Sequence, residues 1–214
     1  IRRQRQMCIR DRDKMIGKDF RLASMLGFVP LSAAIKAILN EDPYKVNFCY
    51  IQCTNPVITY PNSRETLSAL KKVDFLVVAD LFMSPTAELA DYVIPAATWM
   101  ERPYLTERRS GTIGGVLIAC EAAVSPLYER HTDYDFLRAL ALKLKLSNDF
   151  PWEKTYEELC DYRLAPLGIT FKELVAKKRI AFDKRFKKYE TDGFATPTGK
   201  VELYSTVFER LGYD

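Results

Sequence analysis

The stretch Val73–Arg102, VDFLVVADLFMSPTAELADYVIPAATWMER, decides the fold. From Val73 to Ala79 it is a nearly continuous apolar run, as expected of a strand buried on both faces of a parallel sheet. The run stops at Asp80, a carboxylate at the strand's carboxyl end. Ser84-Pro85 then has helix-start chemistry, a hydroxyl to cap and a proline at the first helical position, and predicts a brief helix from Thr86 to Ala90. Tyr92-Val93-Ile94 predicts a second strand, ended by Pro95. Open α/β sheets take ligands just beyond the carboxyl ends of their strands. Asp80 and the segment Ala96 to Arg102 are therefore expected to line one crevice.

Upstream, Leu31 to Leu39 has helical spacing at Leu31, Ile35, Ile38 and Leu39, with Asn40 as a stop. Val46 to Gln52 is rich in β-formers and predicts a strand. It runs into Cys53-Thr54-Asn55-Pro56, a polar loop in which proline forbids further pairing. Asn62 and Glu65 have capping-box spacing ahead of a helix through about Lys72. The alternation of helix and strand predicts an α/β fold, a Rossmann-like parallel sheet built by right-handed crossovers with flanking helices.

Downstream, Arg108 to Gly111 predicts a turn, and Gly114 to Ala119 an edge strand or a loop over the site. Thr132 opens the clearest helix, with Phe136, Leu137, Leu140, Ala141 and Leu144 at helical spacing. Asp133 and Asp135 sit in its first turn, where the dipole favours them. Between residues 148 and 192 the composition turns charged and aromatic, and Tyr156 to Leu159 and Phe171 to Tyr189 read as a helical excursion. Ala195 to Lys200 is a turn cluster, followed by an alternating strand, Val201-Glu202-Leu203-Tyr204.

Composition excludes several classes. The 214 residues are 48% apolar, ample for a core. No apolar run approaches the ~18 residues of a membrane helix, so no direct membrane insertion is expected. The formal charge of +4 lies in residues 1–12, where five arginines oppose one aspartate. The rest of the chain is balanced, so a nucleic-acid partner is not expected. Residues 1–19 read as a non-native or disordered leader, IRRQRQMCIRDR resembling translated adapter sequence. Of the cysteines, Cys49 and Cys53 are expected on one strand face as small buried residues. No metal-ligating residue is expected, because no CxxC pair occurs and His131 has no cysteine at ligand spacing.

Thr54-Asn55-Pro56, the central stretch, Thr132-Asp133 opening a helix, and TPTGKVELYS follow in order. Together, from about Asp42 onward, they resemble the molybdopterin oxidoreductase family, whose catalytic subunits carry a bis(molybdopterin guanine dinucleotide) cofactor with molybdenum or tungsten. Details around Tyr104 to Arg109 and Tyr156 to Phe171 lean towards its thiosulfate and polysulfide reductase branch. The resemblance implies that residues 20–147 form a partial dinucleotide-binding domain and residues 193–214 the start of a truncated C-terminal β-barrel domain. Cofactor contacts carry over to Asn55, Ala79, Asp80, Arg102 and Asp133, with Ser84 a further candidate. A carboxylate, first Asp80 and then Asp133, suits the N1–H and N2–H₂ edge of guanine. The Arg102 fork suits pyrophosphate. Asn55 and Ser84 suit ribose or phosphate oxygens.

Each residue also has a plain reading. Asp133 answers the helix dipole, Ser84 is an N-cap, Asn55 forms a turn, and Arg102 pairs with Glu101 or Glu107. Pro103 departs from the family, many members of which have glycine soon after the arginine. The resemblance implies a fragment, inactive alone, without the metal ligand and without the 4Fe-4S cysteines of the parent's N-terminal part. Its partners would be the pterin dinucleotide, the remainder of the subunit and an iron–sulfur electron-transfer subunit. The parent would act on a sulfur oxyanion or polysulfide, in a location that the family makes periplasmic, with cytoplasmic open. The rivals are a non-redox acetylene hydratase-like lyase and a stand-alone nucleotide-binding module.

Overall fold

A computed structural model describes residues 14–20, 28–110, 114–146, 150–182 and 186–213. The expected leader therefore falls mostly outside the described residues. The chain divides into two units, one drawn from residues 1–49, 55–76 and 185–214, the other from 50–54 and 77–184. Helices and strands mix throughout, and the α/β expectation holds for a three-stranded sheet in the order β1 (Phe48–Gln52), β2 (Phe75–Asp80) and β3 (Tyr92–Pro95).

In the first unit, α1 (Leu31–Asn40) packs on α3 (Ser63–Leu70), with the short α2 (Pro56–Thr59) before it. The apolar spacing read from the sequence becomes the core: Ile35 and Ile38 meet Ala69 and Val73, with Val46 and Cys49 alongside. Asn62 caps α3 through Glu65 N, and its own amide donates to the Glu65 carboxylate at 2.7 Å. Lys72 closes the C-terminus of α1, donating to Leu39 O at 2.7 Å and pairing with Glu41.

The first unit also holds a correction. Val201–Tyr204, expected as the first barrel strand, is an irregular loop that leads into α8 (Thr206–Leu211). The Glu202 carboxylate accepts from the backbone and hydroxyl of both Thr198 and Thr206, and Ser205 caps Phe208 N. These local bonds win over the alternating pattern, because a strand needs a neighbouring edge and Leu203 is fully exposed. The turn cluster before it forms as read, with Gly199 N donating to Thr196 O.

In the second unit β2 and β3 run parallel, Val77 facing Tyr92 through to Asp80 facing Pro95. Leu76, Val77, Val78 and Ala79 are buried, as the continuous apolar run requires. Their connection is shorter than the usual helical crossover. The expected helix from Thr86 to Ala90 tightens to a single 3₁₀ turn, Ala87–Leu89, anchored by the buried Thr86 and Ala87.

A second sheet follows, antiparallel, in the order β4 (Tyr104–Ser110), β5 (Gly114–Cys120), β6 (Arg179–Phe182). Three expectations change here. Arg108 to Ser110 belong to β4 rather than to a turn, and Gly111 of that expectation lies outside the described residues. Residues 114–119 are a central strand rather than an edge. The helix expected over Phe171 to Tyr189 ends as α6 (Phe171–Lys177). Lys178 takes a left-handed φ of 66°, and Arg179–Phe182 pairs with β5 instead, so residues 148–192 are not purely helical.

Alternation explains the change. Leu105, Leu117, Ala119 and Ile180 share one face of the sheet and close on Cys160, Leu164, Phe171 and Leu174 of α5 (Tyr156–Leu164) and α6. Both helices start on complete capping boxes, Thr155 with Glu158 and Thr170 with Glu173. A brief α7 (Tyr189–Asp192) lies further on. No helix among the described residues is long and apolar enough to cross a membrane.

Candidate functional site

Within the second unit, polar groups gather at the carboxyl ends of β1 and β2 and at the start of α4 (Asp133–Lys143). The gathering begins with backbone geometry. Cys53, the first residue past β1, turns into the left-handed region at φ 57°. It therefore leaves the strand and is exposed, whereas Cys49 is half-buried. The expectation that both thiols share one buried face is corrected accordingly.

Asp80 ends β2 and organises the loop after it. Its Oδ1 accepts from Leu81 N at 2.7 Å, and its Oδ2 accepts from the Ser84 hydroxyl at 2.7 Å. Ser84 Oγ in turn accepts from Ala87 N at 3.3 Å, which ties it to the first residue of the 3₁₀ turn, although the N-cap position is Thr86 rather than Ser84. Ala79 is buried, with its methyl in the cluster of Val77 and Ile94.

The chain carries Arg102 to Asp133 by a backbone splice. His131 N donates to Pro95 O and Ala97 N to His131 O, a parallel bridge that continues β3. Thr132 then caps α4 through Asp135 N, as its sequence position predicts. Arg102 Nη1 lies 3.2 Å from Asp133 Oδ2. The Cys53 thiol donates to the same oxygen at 3.7 Å. Burial and the Asp133 charge raise the Cys53 pKa, so it stays a protonated donor at neutral pH. Arg102 thus pairs with Asp133, a partner the sequence did not name.

Glu101 has a different task. Although only 3% exposed, its carboxylate accepts from Thr98 N at 2.8 Å, Leu127 N at 3.1 Å and Arg130 Nη1 at 2.7 Å. Those donors, the Thr98 backbone first, hold its pKa down to about 2. Sequence reasoning saw it only as a neighbour of Arg102. The sole signal available was an acid in a strand-following loop, with an arginine far downstream to match it.

Tyr50 and Gln52 point to one side of β1, as residues two apart on a strand must. The Tyr50 ring stacks on Phe136 of α4 at 5.3 Å. Burial, then Asp133 and Cys53, push its hydroxyl up to about 12. Tyr50 Oη and Gln52 Oε1 are buried without a hydrogen-bond partner among the described residues. Beside Arg102 and Asp133 opens a cleft of about 500 Å³, lined also by Tyr104, Thr132, Tyr134 and Tyr156. Asn55 belongs to the other unit, where it heads α2 and its carbonyl accepts from Ile58 N and Thr59 N.

Of the expected site residues, Asp80 is brought to Ser84, and Arg102 to Asp133. The assembled groups can do defined chemistry. A guanidinium fork donates to phosphate oxygens, and a carboxylate accepts from the paired N–H groups of a purine edge.

Residues 12–143 match the family model described as Molybdopterin oxidoreductase. The chain is 39% identical to acetylene hydratase of Syntrophotalea acetylenica, over 86% of this chain and 25% of that protein. It is 25% identical to the thiosulfate reductase molybdopterin-containing subunit PhsA of Salmonella typhimurium, over 92% of this chain and 29% of that protein. The solved acetylene hydratase from Pelobacter acetylenicus superposes with a TM-score of 0.77 at 37% identity, covering 87% of this chain and 25% of that one. The chain spans about a quarter of the length of these relatives. With the family model matched over more than half of its residues, the chain belongs to the molybdopterin oxidoreductase family.

Proposed function

We propose that this chain binds the guanosine end of a molybdopterin guanine dinucleotide and orients it for a metal centre completed elsewhere in the subunit. The observation that carries the reading is the cluster of Arg102, Asp133 and Cys53 with Asp80 beyond the ends of two strands of an α/β sheet. Family membership implies a molybdopterin cofactor with molybdenum. The dinucleotide form is part of the proposal, as are tungsten in its place and a 4Fe-4S cluster in the parent.

The residues present fit such a group. The buried, unpartnered Tyr50 Oη and Gln52 Oε1 are polar atoms in want of a polar ligand. Arg102 would hold the pyrophosphate. Asp133 or Asp80 would accept from the guanine edge, since a carboxylate has about four lone-pair sites and its internal donors leave some open. Ser84 and the backbone at Ala79 would complete the ribose and phosphate contacts. When bound, the cofactor supplies atom- or electron-transfer chemistry at its metal. This chain supplies binding and orientation, the protein's usual part in cofactor chemistry.

For the parent, the sequence around Tyr104 to Arg109 and Tyr156 to Phe171 supports reduction or oxidation of a sulfur oxyanion or polysulfide, with an iron–sulfur subunit as electron partner. A second reading, hydration in the manner of acetylene hydratase, is supported by the 39% identity against 25% for thiosulfate reductase. Fold alone does not separate them. Assay of the complete enzyme with reduced dye and thiosulfate, against water addition to acetylene without reductant, decides between the two.

Calorimetric titration of the chain with GDP and ADP tests the binding role. GDP is expected to bind at least roughly tenfold tighter, as a site built to pair with a purine edge rejects the base lacking it. Equal affinity, or no binding, removes the reading.

A further inference from the structure

We infer that Glu101 is a positioning residue that sets the Arg102 guanidinium against Asp133. This rests on the nucleotide-binding reading for its purpose, but its geometry stands without it. Arg102 and Asp133 lie 31 positions apart, so something must hold the two segments in register. The backbone splice at Pro95, Ala97 and His131 fastens one end of the arrangement. Met100 O, accepting from Ala123 N and Val124 N, adds a second backbone tie.

Glu101 is the side-chain tie. Its Oε2 accepts from Thr98 N and closes the turn that delivers Arg102, a turn also bonded by Glu101 N to Thr98 O at 3.1 Å. Its Oε1 accepts from Leu127 N and Arg130 Nη1, in the segment that runs directly into His131-Thr132-Asp133. One buried carboxylate therefore holds both the segment carrying the cation and the segment carrying the anion. A buried, fully bonded carboxylate keeps a fixed place, because any movement strands a donor without water.

The arrangement also separates two cations. Arg130 is taken up by Glu101, which leaves Asp133 to Arg102. Without the Glu101 charge, Arg130 has no acid on this turn to hold it, and the donors of Thr98 and Leu127 compete for the single acceptor of an amide.

The test uses the full chain with Glu101→Gln, and with Arg130→Gln as a milder second variant. Two readouts are taken: GDP affinity, and the guanidinium nitrogen resonances of Arg102 by nuclear magnetic resonance. In the parent chain Arg102 is expected to give resolved, slowly rotating Nη signals, which collapse in Glu101→Gln. GDP affinity falls between about tenfold and a hundredfold, the range seen when supporting groups are removed from behind a binding residue. Arg130→Gln gives the same changes at smaller size, about threefold in affinity.

A double-variant cycle separates positioning from general stability. Arg102→Ala is expected to cost far less in the Glu101→Gln background than in the parent chain. An unchanged Arg102 spectrum in both variants, or an undiminished Arg102→Ala effect, overturns the proposal. If Arg102→Ala itself leaves GDP binding unaltered, the nucleotide reading fails, and the Arg102 spectrum still decides the role of Glu101.

Discussion

The chain's two sheets end differently. The parallel sheet closes on polar side chains at its strand tips: Cys53, Asp80 and, through the His131 bridge, Asp133. The antiparallel sheet closes on carbon, with Leu105, Ala119, Phe171 and Leu174 almost completely shielded. The first arrangement leaves hydrogen-bonding capacity for a visitor, and the second offers little beyond the Tyr104 and Tyr156 hydroxyls at the cleft. Binding chemistry is thus expected at one sheet and stability at the other.

The largest effect that could break this contrast lies in the apolar cluster. Phe171→Ala removes a side chain that is 1% exposed, and is expected to cost about 3–5 kcal/mol in urea unfolding. GDP affinity measured well below the midpoint should stay within about twofold, as distant sites add independently. A large loss of affinity in the still-folded variant would mean that the two sheets are not separable in role.

Arg102→Ala should invert that pattern. The Arg102–Asp133 pair is exposed enough that its loss costs at most about 1 kcal/mol of stability, whereas GDP affinity drops by about tenfold or more. Denaturant titration beside calorimetry reads both quantities on one sample.

Acid sharpens the comparison further. The Glu101 carboxyl is depressed to about 2 from its ordinary 4.5. Its contribution to stability is therefore whole above about pH 4.5 and is lost as pH falls through about 2. Thermal unfolding across that window should show a decline in the parent chain that Glu101→Gln flattens. The same decline in both would assign it to other carboxylates.

Smallest is the loop after β2. Ser84→Ala removes one hydrogen bond to Asp80 and one from the first residue of the 3₁₀ turn, at an expected cost of about 1 kcal/mol. If GDP affinity falls by more than stability accounts for, Ser84 is a ligand contact as well as a loop tie.

What could be read in the sequence was local. Val73 to Ala79 is apolar but for Asp74, and that pattern marks a strand covered on both faces. Asn62 with Glu65, and Thr132 ahead of Asp135, state their helix starts within four residues. What escaped was set by partners far along the chain. Arg179–Phe182 follows a lysine-rich helix and becomes a strand only because β5 offers an edge. Val201–Tyr204 alternates like a strand yet loops, because Glu202 finds hydroxyls on both sides. In the site, Asp80 was legible from its place at a strand end. The pairing of Arg102 with Asp133 and the grip of Glu101 on Leu127 and Arg130 were not, since each spans a loop whose path the sequence leaves open.

An amide chemical-shift map of the chain titrated with GDP puts the central claim to its most direct test. The account predicts perturbations at Cys53, Leu81, Phe82, Arg102 and the first turn of α4, with Leu164 and Leu174 in the apolar cluster unmoved. Shifts confined to α5, α6 and β6, or none at saturating GDP, would contradict it.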